Sequence, residues 1–300
     1  MQDSVLIARP SRPPALRDMA ALTKPVTWFP PMWAYLCGAV SSGAALADNL
    51  PLLLGGIILT GPAVCGTSQV INDWCDRHVD AINEPQRPIP SGRVPGRWPV
   101  GLALAGAAVS MLLAAALGSL VFWASVAALL CGWAYSAPPL RLKRSGWLGP
   151  LVCALSYEGL AWFTGASALG GGLPAPTVMA VLLLYSLGAH GIMTLNDFKA
   201  VAGDRAMGLR SLPVILGVRR AALFACAVMA LAQVAVIAVL AASALSVSAG
   251  IVAVLLVVQL ALMARLVRQP ARLAPWYNGT GVLLYVLGML AAALGLGGYV

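Results

Sequence analysis

Charge is what this chain has least of. Asp, Glu, Lys and Arg make up 10% of its 300 residues while 60% are hydrophobic, against about 25% charged in soluble domains. That excludes a soluble globular domain and describes a polytopic membrane protein. A CxxC pair is also missing. The six cysteines, Cys37, Cys65, Cys75, Cys131, Cys153 and Cys226, are scattered and mostly lie inside apolar runs, so they read as small apolar fillers rather than a disulfide framework or a thiolate metal site. No glycine-rich loop of the Walker or Rossmann kind is present, which argues against a nucleotide.

What is present is a regular series of apolar runs. Nine are long enough to cross ~30 Å of hydrocarbon, at roughly residues 26–47, 50–71, 98–117, 119–136, 148–168, 175–195, 220–241, 245–264 and 277–298. The first is longer than a signal-peptide core and is expected to stay in the membrane. The predicted fold is therefore an all-α membrane bundle of nine transmembrane helices. The nineteen Lys and Arg fall four before the first run, then four, three, five and three in alternate connections, with none in the others. By the positive-inside rule those connections and the N-terminus are cytoplasmic and the C-terminus is outside. The net charge of +9 then reflects topology and the anionic headgroups of the bilayer, not a nucleic-acid partner. Residues 1–25 read as a mobile cytoplasmic tail with a short interfacial helix around Arg17 to Leu22. Residues 26–300 read as one transmembrane domain whose cytoplasmic loops, about 72–97, 137–147 and 196–219, hold the chemistry.

The rare acids gather in those loops. In Ile71 to Ser91, INDWCDRHVDAINEPQRPIPS, a helix continuing through the stretch places Asn72, Asp76, Asp80 and Asp73 within about 100° of one another. Crowded carboxylates repel and raise each other's pKa unless a cation sits among them, and oxygen donors suit a hard divalent ion. A weak repeat follows: Ile71-Asn72-Asp73-Trp74 is matched by Leu195-Asn196-Asp197-Phe198, and each is followed by an acid, Asp80 or Asp204, then an arginine and a proline. Asp197 and Asp204 lie about 20° apart on a helix, with Gly203 as its weak point. Related halves of a membrane fold commonly place a ligand where they meet. Because Mg²⁺ usually takes one or two carboxylates plus substrate phosphates, the ligand implied is a phosphate ester. Arg87, Arg93, Arg141, Lys143, Lys199, Arg205 and Arg210 lie in the same loops and suit its anionic groups. The bland alternative for each cation is plain positive-inside bias, and for the acids a helix end paired with Arg77, Arg87 or Arg93. A diphosphate held by two Mg²⁺ clusters, with its tail in the bilayer, is a prenyl diphosphate.

INDWCDRHVD resembles the first aspartate-rich motif, NDxxDxxxD, of the UbiA-type intramembrane prenyltransferases. The longer runs INDWCDRHVDAINEPQRPIPSGRVPG, YSAPPLRLKRSGWLG, SYEGLAWFTG and LNDFKAVAGDRAMGLRSLPVILG are similar to those of the chlorophyll synthases, and most to the bacteriochlorophyll synthases of purple bacteria. The resemblance implies a nine-helix bundle of two pseudo-repeats in the cell inner membrane. It also implies Mg²⁺-dependent transfer of a geranylgeranyl or phytyl group from its diphosphate to the propionate of bacteriochlorophyllide, with pigment–protein assembly partners. On this reading Asn72, Asp76 and Asp80 hold one Mg²⁺, Asp197 and Asp204 a second with Asn196 as a further donor, and Asp73 supports either. Tyr135 joins the cations at the diphosphate. The chain departs from the family where Ala202 stands in place of an acid before Gly203, which thins the second metal set.

Two ionisable residues inside the runs, Glu158 and His190, are expected to face the bundle interior. His190, ~9 Å deeper than Asn196, is a candidate ligand for the magnesium of a chlorin; the alternative is a hydrogen-bonded structural histidine. No general base is called for, since a propionate with a pKa near ~4.3 is ionised at pH 7, and no His/Asp or Ser/His constellation accompanies the motifs. Competing readings are transfer to chlorophyllide, a quinone precursor or haem, a cation-coupled transporter, and a non-catalytic scaffold for pigment proteins. Transporter acids normally sit near the bilayer midplane between broken helices, whereas these fall at helix ends.

Overall fold

In hydrocarbon a backbone must satisfy its own hydrogen bonds, so runs of Leu, Val and Ala without charge have helix as their only open-ended solution. The computed structural model describes residues 13–206 and 208–300, and Arg9 and Arg12 of the tail lie outside them. Among the described residues seven helices are long and apolar enough to cross a membrane: Ala47–Asn83, Trp98–Leu117, Ser119–Ser136, Pro176–Lys199, Val218–Ala242, Ser246–Arg268 and Pro270–Leu296. Two expected spans take shorter forms. Phe29–Ser41 has 13 residues, ~20 Å of helix. Residues 148–170 are divided into Leu148–Ala154, a π-helical Leu155–Leu160 and Ala161–Gly170.

The helix Ala47–Asn83 organises the rest. Its 37 residues make ~55 Å, far more than a bilayer's hydrocarbon needs, so its last turns carry the acidic motif beyond the apolar layer. Pro62 lies within it and can neither donate to nor clear the preceding turn; the helix absorbs this in a π-helical stretch, Leu59–Cys65, and is α-helical again from Gly66 to Asn83.

Small residues let neighbouring helices meet closely. A Cβ on Gly38 would stand 2.0 Å from the carbonyl oxygen of Trp162, and one on Gly165 would stand 2.1 Å from that of Tyr35, so the two helices touch backbone to backbone. All six cysteines are free, with Cys37, Cys65 and Cys226 buried.

Two contacts assemble the charged end. Gly146 N–H donates to the Arg210 carbonyl at 2.8 Å and Arg210 N–H to the Arg144 carbonyl at 3.3 Å, a single parallel bridge joining the loops after Ser136 and Ala206. The segment expected to be a mobile tail is docked from Leu16 onward. The predicted short helix is present as Leu16–Leu22, Leu22 is fully buried against Val70, Ile71 and Val94, and Asp18 pairs with Arg93 at 3.3 Å. An apolar anchor at the helix's last residue is what ties the segment down.

Candidate functional site

The predicted acidic face is present, and it is split in two. On the helix Gly66–Asn83, Asn72 and Asp76 lead one edge of the face, Asp80 and Asp73 the other. Asn72 Nδ2 donates to Ser136 Oγ at 3.2 Å, and Asp76 binds Arg141 at 3.1 Å and also Lys143. Asp73 binds Lys24 Nζ at 2.6 Å and Arg87 at 3.4 Å. Asp80 shares that arginine at 2.9 Å, and Glu84 takes its Nε. Burial pulls the Arg87 pKa down, but Glu84, Asp80 and Asp73 together push it up by more, so the guanidinium stays charged. The helix puts the four side chains in one ~100° sector, and the partners that other segments bring to it divide them: Arg141 and Lys143 reach Asp76, whereas Lys24 and Arg87 reach Asp73 and Asp80.

The second patch lacks such partners. Asp204 is buried and accepts the Ser211 hydroxyl at 2.7 Å. Asn196 Oδ1 accepts from Asn278 at 2.9 Å. Neither Asp197 nor Asp204 has an ion pair among the described residues. The helix is interrupted before Gly203, in the 3-10 turn Asp197–Lys199, and Gly203 itself lies inside the short helix Val201–Ala206.

The oxygen-only donor sets suit a hard divalent ion. Among the described residues no three acidic, His or Cys side chains form a ready-made cage, and Mg²⁺, which keeps waters and leans on substrate phosphates, does not need one. The uncompensated acids of the second patch are the kind of group that such a cation offsets.

Several predicted residues stand apart. Arg93 is taken up by Asp18 and by the Gln86 carbonyl, on the rim. Lys199, Arg205 and Arg210 are exposed. Arg77 turns to its own helix, stacking over Trp74 at 4.2 Å. The His190 ring lies with Nε2 3.1 Å from the Trp147 carbonyl and Nδ1 3.4 Å from Thr194 Oγ1. Glu158 is 4% exposed and its Oε2 has no hydrogen-bond partner among the described residues, so it faces inward as expected.

Sequence reading missed Lys24 and Ser211. Lys24 is 49 residues from Asp73, and no spacing rule connects them. The cavity wall was missed as well. Below Asn72 and Tyr135 a cavity runs along the long helix to Thr60, ~18 Å at 1.5 Å per residue, between mostly apolar walls. Both π-helical stretches line it, and such turns recur at functional sites. On the wall, Tyr157 Oη accepts from Gln69 Nε2 at 2.8 Å and from Cys65 Sγ at 3.3 Å. The whole arrangement is a charged mouth over an apolar cavity, which fits an amphipath with an anionic head.

The profile of the UbiA prenyltransferase family matches residues 28–279. The chain belongs to that family. UbiA enzymes are prenyltransferases, and so is this chain. It is 55% identical over 293 residues, 98% of this chain and 97% of the other, to the bacteriochlorophyll synthase 33 kDa chain of Cereibacter sphaeroides. Among solved structures, one described as giving insights into digeranylgeranylglyceryl phosphate synthase in membranes is similar at a TM-score of 0.74 with 20% identity, covering 93% of this chain and 98% of that one. A UbiA homolog from Archaeoglobus fulgidus bound to GPP and Mg²⁺ is similar at 0.65 with 20% identity, covering 91% and 99%. The UbiA fold expected from NDxxDxxxD is thus the fold of this chain.

Proposed function

We propose that this prenyltransferase esterifies the propionate of bacteriochlorophyllide with a geranylgeranyl or phytyl group taken from its diphosphate, and that it needs Mg²⁺. The observation that carries the reading is the mouth itself, where Asp76 and Asp73 are held by cations directly over an apolar cavity. Near-full-length similarity to a bacteriochlorophyll synthase supports the pigment as acceptor. The UbiA homolog bound to GPP and Mg²⁺ supports the metal.

Asn72, Asp76 and Asp80 on one side and Asn196, Asp197 and Asp204 on the other would hold the metal. When bound, Mg²⁺ neutralises negative charge on the departing diphosphate. Lys24, Arg87, Arg141 and Lys143, paired with the acids in this structure, are the cations that would turn to the diphosphate oxygens if a metal held those acids. Tyr135 at the cavity top and Lys199, Arg205 and Arg210 at the rim complete the anionic subsite. The prenyl chain lies along the cavity below Asn72, whose walls keep water from the allylic carbon. The acceptor carboxylate arrives ionised, so no side chain has to remove a proton.

In this reading Phe29–Ser41 and residues 148–170 also lie in the membrane, giving nine spans. The positive-inside distribution supports a cytoplasmic mouth in the cell inner membrane. Phytyl against geranylgeranyl preference falls to the cavity's far end near Thr60 and Thr164.

Purified protein supplied with bacteriochlorophyllide, geranylgeranyl diphosphate and Mg²⁺ is expected to form esterified pigment and to stop when EDTA is added. Ester that never forms with Mg²⁺, or forms undiminished without divalent metal, overturns the reading.

A further inference from the structure

Beside the mouth lies a second concavity, on the outer face of the bridge between the two loops. Pro138, Pro139 and Trp147 give it flat apolar walls, Arg141, Arg144 and Arg210 line it, and no Asp or Glu does. Trp147 is 45% exposed and Leu140 63%, so the groove opens outward with an apolar rim. Its back is stiff: the Trp147 carbonyl is held by His190 and the Trp147 ring packs edge-on against Phe224 at 5.1 Å.

The cations of this groove are arranged rather than scattered. The backbone bridge pairs Ser145 with Arg210, whose N–H reaches the Arg144 carbonyl; both arginines line the groove, and neither has an ion pair among the described residues. Arg210 also stands at the rim of the diphosphate subsite, and Arg141 joins the two sites. Arg141 lines the groove, its guanidinium reaches Asp76 at 3.1 Å, and its buried Nε has no hydrogen-bond partner among the described residues. A buried donor without an acceptor is unfavourable until one arrives, which makes it a group that an anion would satisfy.

Resting on the function proposed above, we infer that this groove is where the acceptor docks. Its flat walls fit a planar apolar ring, and Arg144 and Arg210 draw in the carboxylate. Arg141 marks the passage from groove to mouth, so a carboxylate held at its Nε stands at the edge of the diphosphate subsite. A phospholipid headgroup shares the negative charge, but has no planar ring to lie against Pro138, Pro139 and Trp147.

The test measures pigment binding without metal or prenyl diphosphate, by quenching of tryptophan emission on adding bacteriochlorophyllide to the protein in nanodiscs of phosphatidylcholine, with and without phosphatidylglycerol. Arg144→Glu is expected to raise the pigment Kd by about tenfold in both kinds of disc, while the KM for geranylgeranyl diphosphate stays within about twofold. Ile215→Trp, which fills the groove without touching charge, is expected to weaken pigment binding as well. Unchanged pigment Kd in both variants overturns the assignment. So does a loss seen only in discs containing phosphatidylglycerol, which would make the groove a lipid headgroup site. Wild-type protein that binds pigment in an Arg144-dependent way yet forms no ester supports the groove and refutes the reaction instead.

Discussion

Lys24 and Asp73 are joined by an ion pair of 2.6 Å across 49 residues of chain. The pair ties the segment before Phe29–Ser41 to the motif at the end of Ala47–Asn83, and the Asp73 side chain is only 4% exposed. Removing one partner of a buried pair strands the other. Lys24→Ala is therefore expected to cost ~1–3 kcal/mol of stability, read as a lower melting temperature in detergent, with Arg87 retaining part of the contact. Adding Asp73→Asn should recover part of the loss. A double variant whose loss is the sum of the two singles shows that the pair is not coupled.

Asp76 is the acid with two cationic partners on the loop beyond the fourth apolar run, Arg141 and Lys143. Asp76→Asn keeps the shape and removes the charge. It is expected to lower kcat by ~10²-fold or more while circular dichroism stays close to wild type and melting falls only modestly, since the amide oxygen still accepts from Arg141 or Lys143. Near-normal turnover in that variant would return the acid to a purely structural role.

How much of this could be read in the sequence depends on distance along the chain. Asn72, Asp73, Asp76 and Asp80 share one helix, so their common face follows from 3.6 residues per turn. The same arithmetic carries the long helix through the motif. It does not reveal that Asp73 and Asp80 turn to Arg87 while Asp76 turns to Lys143, because the partners come from other segments and their approach is fixed by packing. The docking of Lys24 depends on Leu22 finding Val70 and Ile71, a tertiary contact without a spacing rule. The short first helix and the break at Leu155–Leu160 escaped hydropathy for a different reason. A window over apolar residues measures composition and is blind to a π turn.

Gly146 sits where the two loops meet. A Cβ there would stand 2.5 Å from both the Arg210 carbonyl oxygen and the Leu212 nitrogen, and neither backbone atom can swing aside as a side chain would. Gly146→Ala is expected to open the bridge and loosen Arg141 and Lys143 with it. Amide exchange should quicken at Gly146 and Arg210, and KM for the diphosphate should rise with little change in far-ultraviolet helix content. Unaltered exchange at both amides would show that the bridge does not set the loop.

The two acidic patches differ in a way that predicts how ligands stabilise the protein. The first is already compensated by Lys24, Arg87, Arg141 and Lys143, whereas Asp197 and Asp204 make no ion pair among the described residues. Metal alone must displace the first set of ion pairs, and diphosphate alone meets uncompensated carboxylates in the second patch, so each is expected to bind poorly by itself. Together they satisfy both patches, and linkage requires each to tighten the other equally. Melting temperature is therefore expected to rise little with Mg²⁺ or with geranylgeranyl diphosphate alone and clearly with both, since a ligand at 100 times its Kd stabilises by ~2.7 kcal/mol. Asp197→Asn should weaken that joint effect more than it lowers the melting temperature of the free protein, because it removes a metal donor that has no ion pair to lose. Additive shifts from the two ligands, or a joint shift that survives Asp197→Asn in full, would mean that the second patch does not take part.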